Sequence, residues 1–335
     1  MTNPLSALLE EKGVLLADGA TGTTLFEVGL TSGQSPEFWN DTAPEKITKL
    51  HQGFVDAGSD IILTNSFGGT RHRLKLHHAQ DRTFELNEKA AIIGREVADK
   101  SDRNIIVAGS VGPTGELLVP LGELTYEGAV EAFIEQMEGL KSGGVDVLWI
   151  ETMSAPDEMK AAAEAANSLD MPYVITASFD TAGRTMMGMT PAQMNTSVST
   201  SGTAPLAIGA NCGVGASDLL ASVLDISESA PEVVVVAKAN CGIPVIQGEN
   251  VVYTGTPELM SDYACLAIDA GARIIGGCCG TSCDHLAAMR KAIDSHQKSD
   301  RPSLEAITHS IGPMLNKSAS EETASKKREN RRKRA

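Results

Sequence analysis

Short apolar runs alternate with longer amphipathic stretches along most of the chain. Eight runs are rich in Val, Ile and Leu and lack a regular polar alternation; they cover residues 14–18, 60–65, 104–110, 145–151, 173–180, 205–212, 232–241 and 273–279. Unbroken apolar runs of this length are typical of strands that are buried on both faces of a parallel sheet. The pattern therefore predicts eight parallel strands.

The stretches between these runs have the apolar spacing of helices. "PEKITKLHQGFVDAG" begins with Pro44, which suits the first turn of a helix, and "TYEGAVEAFIEQMEGLKSGG" begins with Thr125, a favourable N-cap residue. Three helices end in similar phrases, "DAGSDIIL", "SGGVDVLWI" and "DAGARIIGG", which predict that Gly58, Gly144 and Gly271 follow the last helical turn. The recurrence indicates one repeated strand and helix unit.

Eight such units predict an α/β protein of the (β/α)8 or TIM-barrel class. A doubly wound sheet would leave two or three units to be placed elsewhere. The 335 residues suit either one large barrel or two ordinary domains, and the unit count favours a single barrel over residues 1–312, followed by a tail at residues 313–335. In barrels of this class the chemistry takes place at the C-terminal ends of the strands.

Charge is distributed unevenly along the chain. The formal net charge of -15 argues against a body that binds nucleic acid. Residues 326–335, "KKRENRRKRA", nevertheless carry seven basic groups and one acid. The stretch from Lys317 onward lacks aromatic and branched apolar residues, which predicts a disordered basic tail that is either a solvated end or a docking segment for an acidic partner or RNA.

Features of a membrane or secreted protein are missing from the sequence. No apolar run approaches the ~18 residues of a membrane span, and "MTNPLSALLEEKG" lacks the basic start and apolar stretch of a signal peptide. We expect a cytoplasmic protein with no membrane partner. Six cysteines are too few for a disulfide scaffold at this length, so metal binding or catalysis is the use to consider, although single cysteines are more commonly inert and buried.

Polar and sulfur-bearing residues gather at the ends of the predicted strands. They are Asp18, Thr64, Asn65, Ser110, Glu151, Ser178, Asn211, Cys212, Asn240, Cys241, Cys278 and Cys279. Three thiolates with one open position suit Zn²⁺, and a thiol substrate in that position would lose its proton to the charge of the metal. The alternative for the adjacent pair in "GGCCGT" is two buried thiols or a strained vicinal disulfide.

The choice of the third sulfur ligand is left open by the residues themselves. "GANCGVG" and "KANCGIP" repeat the same four letters at the ends of the sixth and seventh runs, so Cys212 and Cys241 are equivalent candidates. Cys265 lies among apolar neighbours in a helical pattern and is predicted to be a core residue. Cys283, at the start of the last helix, is a weaker metal candidate.

Three motifs taken together resemble the homocysteine S-methyltransferase family. They are "DGATGT" after the first strand, "NCG" after the sixth and "GGCCGT" after the eighth, and the resemblance extends from about residue 10 to residue 300. It implies a barrel that binds homocysteine through Zn²⁺, with Cys212, Cys278 and Cys279 as metal ligands and the substrate sulfur as the fourth. At the position of Cys241, relatives commonly carry a small residue that is not a ligand.

The resemblance also implies which residues bind homocysteine. Asp18 and Glu151 resemble the acids that hold its amino group, while Thr64 and the Gly19 amide resemble groups near its carboxylate. The pairing is physically sensible, because carboxylates match an ammonium and backbone donors match a carboxylate. The implied reaction is a direct methyl transfer to the homocysteine thiolate that yields methionine, so no protein side chain is expected to act as a catalytic nucleophile.

The sequence departs from one branch of the family at the methyl donor. Betaine-using relatives carry tyrosines where this chain has Gly68 and Thr152, and only 4% of its residues are aromatic, although a quaternary ammonium is usually held by an aromatic cage. Trp39 could form one wall of such a cage or anchor the edge of a helix.

We expect betaine as the donor for a chain of this size. The alternatives are S-methylmethionine, methylcobalamin on a cobalamin-binding partner protein, and a barrel that binds zinc and a thiol without turnover of its own. The sequence does not predict an oligomeric state.

Overall fold

A computed structural model describes residues 3–198, 202–247 and 250–316 of the chain. The strands are β1 (Leu15–Leu16), β2 (Ile61–Leu63), β3 (Ile106–Val111), β4 (Val147–Met153), β5 (Tyr173–Ala177), β6 (Ala207–Cys212), β7 (Val235–Ala239), β8 (Pro244–Gln247), β9 (Asn250–Tyr253) and β10 (Ala272–Gly277). The helices are α1 (Pro4–Lys12), α2 (Thr21–Glu27), α3 (Trp39–Thr42), α4 (Pro44–Asp56), α5 (Arg71–Lys75), α6 (Thr83–Asp99), α7 (Tyr126–Ser142), α8 (Pro156–Ser168), α9 (Met194–Ser197), α10 (Ala216–Ser229), α11 (Pro257–Asp269), α12 (Cys283–Ser295) and α13 (Leu304–Ile311), with short 3-10 turns at Pro36–Phe38, Gln80–Arg82 and Pro191–Gln193.

Eight strands form one parallel sheet that closes on itself. Their order is β1-β10-β7-β6-β5-β4-β3-β2. A parallel bridge between Ala17 and Ile61 joins the two ends of this order, and the Asp60 N–H donates to the Leu16 carbonyl at 2.7 Å. The predicted (β/α)8 barrel is confirmed, with all eight predicted strands in place.

Local signals at the helix ends were read correctly from the sequence. The Thr125 side chain accepts a hydrogen bond from the Gly128 N–H at 3.0 Å and so caps α7. Gly58, Gly144 and Gly271 have φ angles of +105°, +91° and +105°, a region that residues with a Cβ rarely adopt. Each glycine therefore lets the chain leave a helix and enter the next strand within one to three residues.

A helix that the sequence pattern did not predict fills the barrel interior at the end opposite to the C-terminal ends of the strands. Leu5, Leu8 and Leu9 of α1 are buried in the same apolar cluster as the inward-facing Leu15 and Trp149. A second, larger cluster lies between the strands and the outer helices. Because α1 and Trp149 occupy this part of the interior, the space left inside the barrel lies at the C-terminal ends of the strands.

An antiparallel hairpin interrupts the strand and helix alternation after β7. β8 pairs with β9, with Pro244 opposite Tyr253. The Gly255 N–H donates to the Cys241 carbonyl at 3.0 Å, which fixes the base of the hairpin to the end of β7. The sequence analysis missed this hairpin, although the β-branched residues on both sides of the glycine in "PVIQGENVVY" were a usable signal.

The C-terminal segment returns to the barrel after α13. The N–H groups of Leu315 and Asn316 donate to the two carboxylate oxygens of Asp218 at 2.9 and 2.8 Å. Contacts with the barrel thus continue to Asn316, past residue 312, where the barrel was predicted to end. The predicted tail from Lys317 onward lies outside the described residues. Within the described ranges, no helix combines the length and apolar character needed to cross a bilayer.

Candidate metal and substrate site

Three cysteine sulfurs meet at the C-terminal end of the barrel. The Sγ atoms of Cys212, Cys278 and Cys279 all lie within 4.8 Å of one another, and they form the one candidate metal-binding group in the described part of the chain. Cys212 is the last residue of β6, and the other two follow β10. The residues implied by the family resemblance are therefore the three that the structure brings together, and Cys241 and Cys283 lie outside the cluster.

A left-handed turn directs Cys212 into this cluster. Cys212 has a φ angle of +62° and Gly213 one of +80°. A residue with a side chain in this region costs on the order of 1–2 kcal/mol, so surrounding contacts must hold it there. The Asn211 side chain provides such contacts, because it accepts from the Thr152 N–H at 2.8 Å and donates to the Thr152 hydroxyl at 2.7 Å.

The second Ala-Asn-Cys-Gly quartet has a different role. The Asn240 side chain donates to the Gly213 carbonyl at 2.6 Å and accepts from the Cys279 N–H at 3.1 Å, so it links the two cysteine-bearing turns. Cys241 is buried beside Gly255, where burial raises the pKa of its thiol to about 11. The quartets are alike in sequence, and only their different neighbours separate the cluster residue from the buried one.

The sulfur cluster favours negative charge on one member. Hydrogen bonds from the Cys212 and Cys278 thiols lower the pKa of Cys279 to about 3, and the Tyr253 hydroxyl contributes a further hydrogen bond to the same sulfur. Tyr253 lies on β9 and was not predicted as a site residue. Three sulfurs this close together are a donor set that fits a soft divalent metal such as Zn²⁺.

A cavity of about 440 Å³ lies next to the sulfurs. All seven predicted site residues line it: Asp18, Gly19, Thr64, Glu151, Cys212, Cys278 and Cys279. A space of this size is in the range of small-molecule sites in proteins. The structure thus brings the predicted metal and substrate residues to one place.

Glu151 presents an available carboxylate oxygen at the end of β4. Its Oε1 accepts from the Ser110 hydroxyl at 2.5 Å, and its Oε2 has no hydrogen-bond partner among the residues that the structure describes. Burial raises the pKa of Glu151, against the lowering effect of the positive charge on Lys238. A ligand ammonium would give Oε2 a partner and would favour the ionised carboxylate.

Asp18, unlike Glu151, already has a cationic partner. The Lys238 ammonium donates to Asp18 Oδ1 at 2.6 Å, and the Leu63 N–H donates to Oδ2 at 2.7 Å. The side chains of Asp18 and Lys238 are 1% and 3% exposed. Sequence reasoning missed Lys238, although a lysine inside the apolar run "VVVVAKANC" was a visible signal for a charged group in the barrel.

The two groups expected near a substrate carboxylate differ in availability. The Gly19 N–H makes no hydrogen bond to another described residue, and a Cβ on Gly19 would lie 2.4 Å from the Thr281 carbonyl oxygen. The Thr64 hydroxyl accepts from the Ser110 N–H at 3.0 Å and is 2.6 Å from the Ser66 hydroxyl. Gly19 therefore offers a free donor, whereas Thr64 is committed to its neighbours.

Few aromatic rings surround the cavity. Phe67 is the one phenylalanine, tyrosine or tryptophan among the described lining residues. Trp39 does not line the cavity; it is buried on the outer side of the barrel, with the Lys46 ammonium 4.1 Å from the centre of its ring. Of the two roles considered for Trp39, the structure supports that of a helix anchor.

Comparison with known proteins identifies the family. Residues 15–293 match the sequence pattern described as "Homocysteine S-methyltransferase", and the chain belongs to that family. Membership in this family agrees with the resemblance noted in the motifs.

The chain is also similar to part of two longer proteins named methionine synthase. It is 29% identical over 296 residues to that of Mycobacterium leprae and 29% identical over 304 residues to that of Mycobacterium tuberculosis. These matches cover 84% and 86% of this chain, which spans 24% and 25% of the relatives' lengths. Most of the length of each relative therefore lies outside the region that matches this chain.

Solved structures share the fold. The homocysteine methyltransferase MmuM from Escherichia coli, in the form described as metallated, gives a TM-score of 0.72 at 24% identity and covers 86% of this chain and 99% of its own. The apo form of the same protein gives a TM-score of 0.68 at 23% identity. At these identities the comparison supports the architecture of the barrel.

Proposed function

We propose that this protein transfers a methyl group to homocysteine held as a thiolate at a zinc site formed by Cys212, Cys278 and Cys279. The observation that carries the proposal is the meeting of three sulfurs within 4.8 Å at the wall of a cavity that also contains Asp18 and Glu151. One wall can hold a metal and a thiol, and the other can hold an ammonium.

Zinc would supply a positive charge that keeps the substrate sulfur deprotonated at neutral pH. Support for zinc comes from the donor set, since three thiol sulfurs with an open side are typical of catalytic zinc sites. The E. coli relative is described in a metallated form, which supports a metal site in this chain.

The chain's own residues orient the substrate. Glu151 Oε2 is free to accept a hydrogen bond from the homocysteine ammonium, and the Gly19 N–H is free to donate to its carboxylate. Held at both ends, the substrate directs its sulfur toward the cysteine cluster. Fixing the sulfur in line with the donor methyl lowers the entropic cost of the transfer, and no protein nucleophile is needed.

Betaine remains the first donor to test. It is small enough for the cavity, and Phe67 could provide one aromatic face for its quaternary ammonium. A single ring is a weak cage, however, and the tyrosines of betaine-using relatives are replaced by Gly68 and Thr152. A Cβ at Gly68 would lie 2.9 Å from Glu37 Oε1, so this side of the cavity has no room for a larger residue without a shift of Glu37.

A second donor, methylcobalamin carried by a partner protein, is favoured by the surface around the cavity. Nine large apolar side chains in the segments after β1, β2, β3 and β5 are 37–71% exposed: Phe26, Val28, Phe67, Leu76, Leu117, Val119, Leu121, Met186 and Met187. These segments lie at the C-terminal ends of the strands, and exposed apolar groups that cluster in this way are typical of protein-binding surfaces. A donor on a cobalamin-binding partner would approach from this side.

One experiment separates these donors. Purified protein with a measured zinc content is incubated with homocysteine and, in turn, betaine, S-methylmethionine and methylcobalamin, and methionine is quantified. Methionine from one donor identifies the reaction. If homocysteine binds but no donor yields methionine, the protein is a barrel that binds zinc and a thiol without turnover. Protein without bound zinc would contradict the proposal.

A cytoplasmic location fits the free thiols of the site and remains a prediction.

A further inference from the structure

Lys238 is a buried cation at the wall of the cavity. Its ammonium can donate more hydrogen bonds than the protein accepts from it. It lies on β7, two residues after Val236, so both side chains point into the barrel. Its ammonium has three donors, and Asp18 is its one hydrogen-bond partner among the described residues. The ring of Trp149 lies 5.9 Å from the ammonium, in the inner apolar cluster.

Stability alone is a poor reason for an ion pair at this position. Replacing a buried pair of opposite charges by apolar side chains is often neutral or stabilising, because both ions lose their hydration when they are buried. Asp18 and Lys238 are nevertheless both present, and both line the cavity beside the sulfur cluster. Their placement at the cavity wall indicates contact with a ligand.

The charges around the cavity match those of an amino acid. Lys238 and Asp18 together are neutral. Two other carboxyl groups line the cavity: Glu37 is bonded through both oxygens to the Ser35 hydroxyl and the Gly68 N–H, whereas Glu151 has one oxygen available for a ligand. A zwitterionic substrate that gives its ammonium to Glu151 still has a carboxylate to bury. Arg73 also lines the cavity but is exposed, which leaves Lys238 as the buried cation among the described lining residues.

We propose that Lys238 binds the carboxylate of homocysteine, next to the Gly19 N–H, through an N–H bond that Asp18 does not use. The inference rests on the proposed function and adds a determinant of substrate choice. Asp18 then holds Lys238 in place and takes part in recognition indirectly, whereas Glu151 contacts the ammonium. The site selects thiols that carry both an ammonium and a carboxylate.

The test compares two thiols that differ in one group. Homocysteine and 3-mercaptopropylamine, which lacks the carboxylate, are titrated into zinc-loaded protein by calorimetry, so that no methyl donor is needed. Lys238→Met is expected to weaken homocysteine binding by about 10-fold or more, the range for a hydrogen bond to a charged group, and to change 3-mercaptopropylamine binding by less than about 2-fold. Lys46→Met, which removes a lysine outside the cavity, is the matched control and is expected to bind both thiols as the unmodified protein does.

A double variant keeps the test decisive if Lys238→Met leaves Asp18 buried without a partner and unfolds. Asp18→Asn with Lys238→Met removes both charges, and it is expected to show the same selective loss of homocysteine binding. Recovery of full homocysteine affinity in the double variant, or equal losses for both thiols, would show that Lys238 serves only Asp18. If the unmodified protein binds neither thiol, the proposed function fails together with this inference, whereas selective failure at Lys238 leaves that function intact.

Discussion

The Asn240 side chain accepts a hydrogen bond from the Cys279 N–H at 3.1 Å and joins the two turns that carry the sulfur cluster. Its other end donates to the carbonyl of Gly213, the residue after Cys212, at 2.6 Å. One amide thus spans the gap between β6 and the segment after β10. The relative position of the sulfurs depends on this bridge as well as on the cysteines themselves.

Asn240→Ala is expected to weaken zinc binding by about 10-fold or more, since residues that orient metal ligands typically have effects of this size. The measurement is competition with a chelator of known affinity under reducing conditions. Asn104→Ala, at an exposed position before β3, serves as the control. Unchanged zinc affinity in Asn240→Ala would mean that the turns keep their positions without the bridge.

The two equivalent cysteines of the repeated quartet are expected to respond differently to substitution. Cys212→Ala removes one sulfur of the cluster and is expected to abolish tightly held zinc. Cys241→Ala removes a buried thiol outside the cluster and is expected to retain a full equivalent. Metal analysis of both variants, purified without chelators, provides the measurement, and similar zinc content in the two would contradict the assignment.

These two predictions show where sequence reasoning ends and tertiary structure is needed. The barrel could be predicted because its signals are local: apolar runs form the strands, and glycines such as Gly58 and Gly271 end the helices. The choice between Cys212 and Cys241 could not be predicted, because it depends on a left-handed backbone at Cys212. The neighbouring Asn211 maintains this backbone through hydrogen bonds to Thr152, which is 59 residues away in the chain.

Other parts of the site were missed for related reasons. Lys238 lies in an apolar run, and its partner Asp18 is 220 residues away in the chain. Tyr253 comes from a hairpin that departs from the repeated unit, so the strand count gave no reason to look for it. Residues at the strand ends were accessible to prediction, because the barrel geometry alone places them together.

Glu151 is expected to make ligand binding dependent on pH. Its pKa is raised by burial, and only the ionised carboxylate can bind an ammonium. Affinity is therefore expected to fall as the pH decreases through a range above that of an ordinary glutamate. Methionine is the suitable probe, because it carries the ammonium and carboxylate of homocysteine but has no thiol proton of its own.

The measurement is calorimetric titration of methionine between pH 8 and pH 5. Glu151→Gln is expected to bind about 10-fold more weakly at neutral pH and to lose the decline on the acidic side. Glu158→Gln changes another buried carboxyl group, which is bonded to Thr114 away from the cavity, and is expected to retain the decline. Identical pH profiles for Glu151→Gln and the unmodified protein would exclude Glu151 as the ammonium partner.

His51 on α4 is expected to limit stability in mild acid. Its side chain is fully buried, neither ring nitrogen has a hydrogen-bond partner within the described residues, and burial lowers its pKa to about 4 from 6.5. Above pH 6.5 the imidazole is neutral in both the folded and the unfolded chain. Below it the unfolded chain takes up a proton that the folded chain cannot accept, so the free energy of unfolding falls by about 2 kcal/mol at pH 5 and about 3 kcal/mol at pH 4.

His51→Leu is expected to remove this part of the acid sensitivity and to be neutral or stabilising at pH 7.5, because an apolar side chain leaves no buried nitrogen without a partner. Urea unfolding at pH 7.5 and pH 5 measures the difference, with the exposed His309→Gln as the control. The loss of stability between the two pH values should be about 2 kcal/mol smaller in His51→Leu than in the control. An equal loss in both variants would place the acid-sensitive group elsewhere. The cavity carboxyls Asp18 and Glu151 would not be candidates, because their raised pKa values let the folded chain take up protons more readily than the unfolded chain.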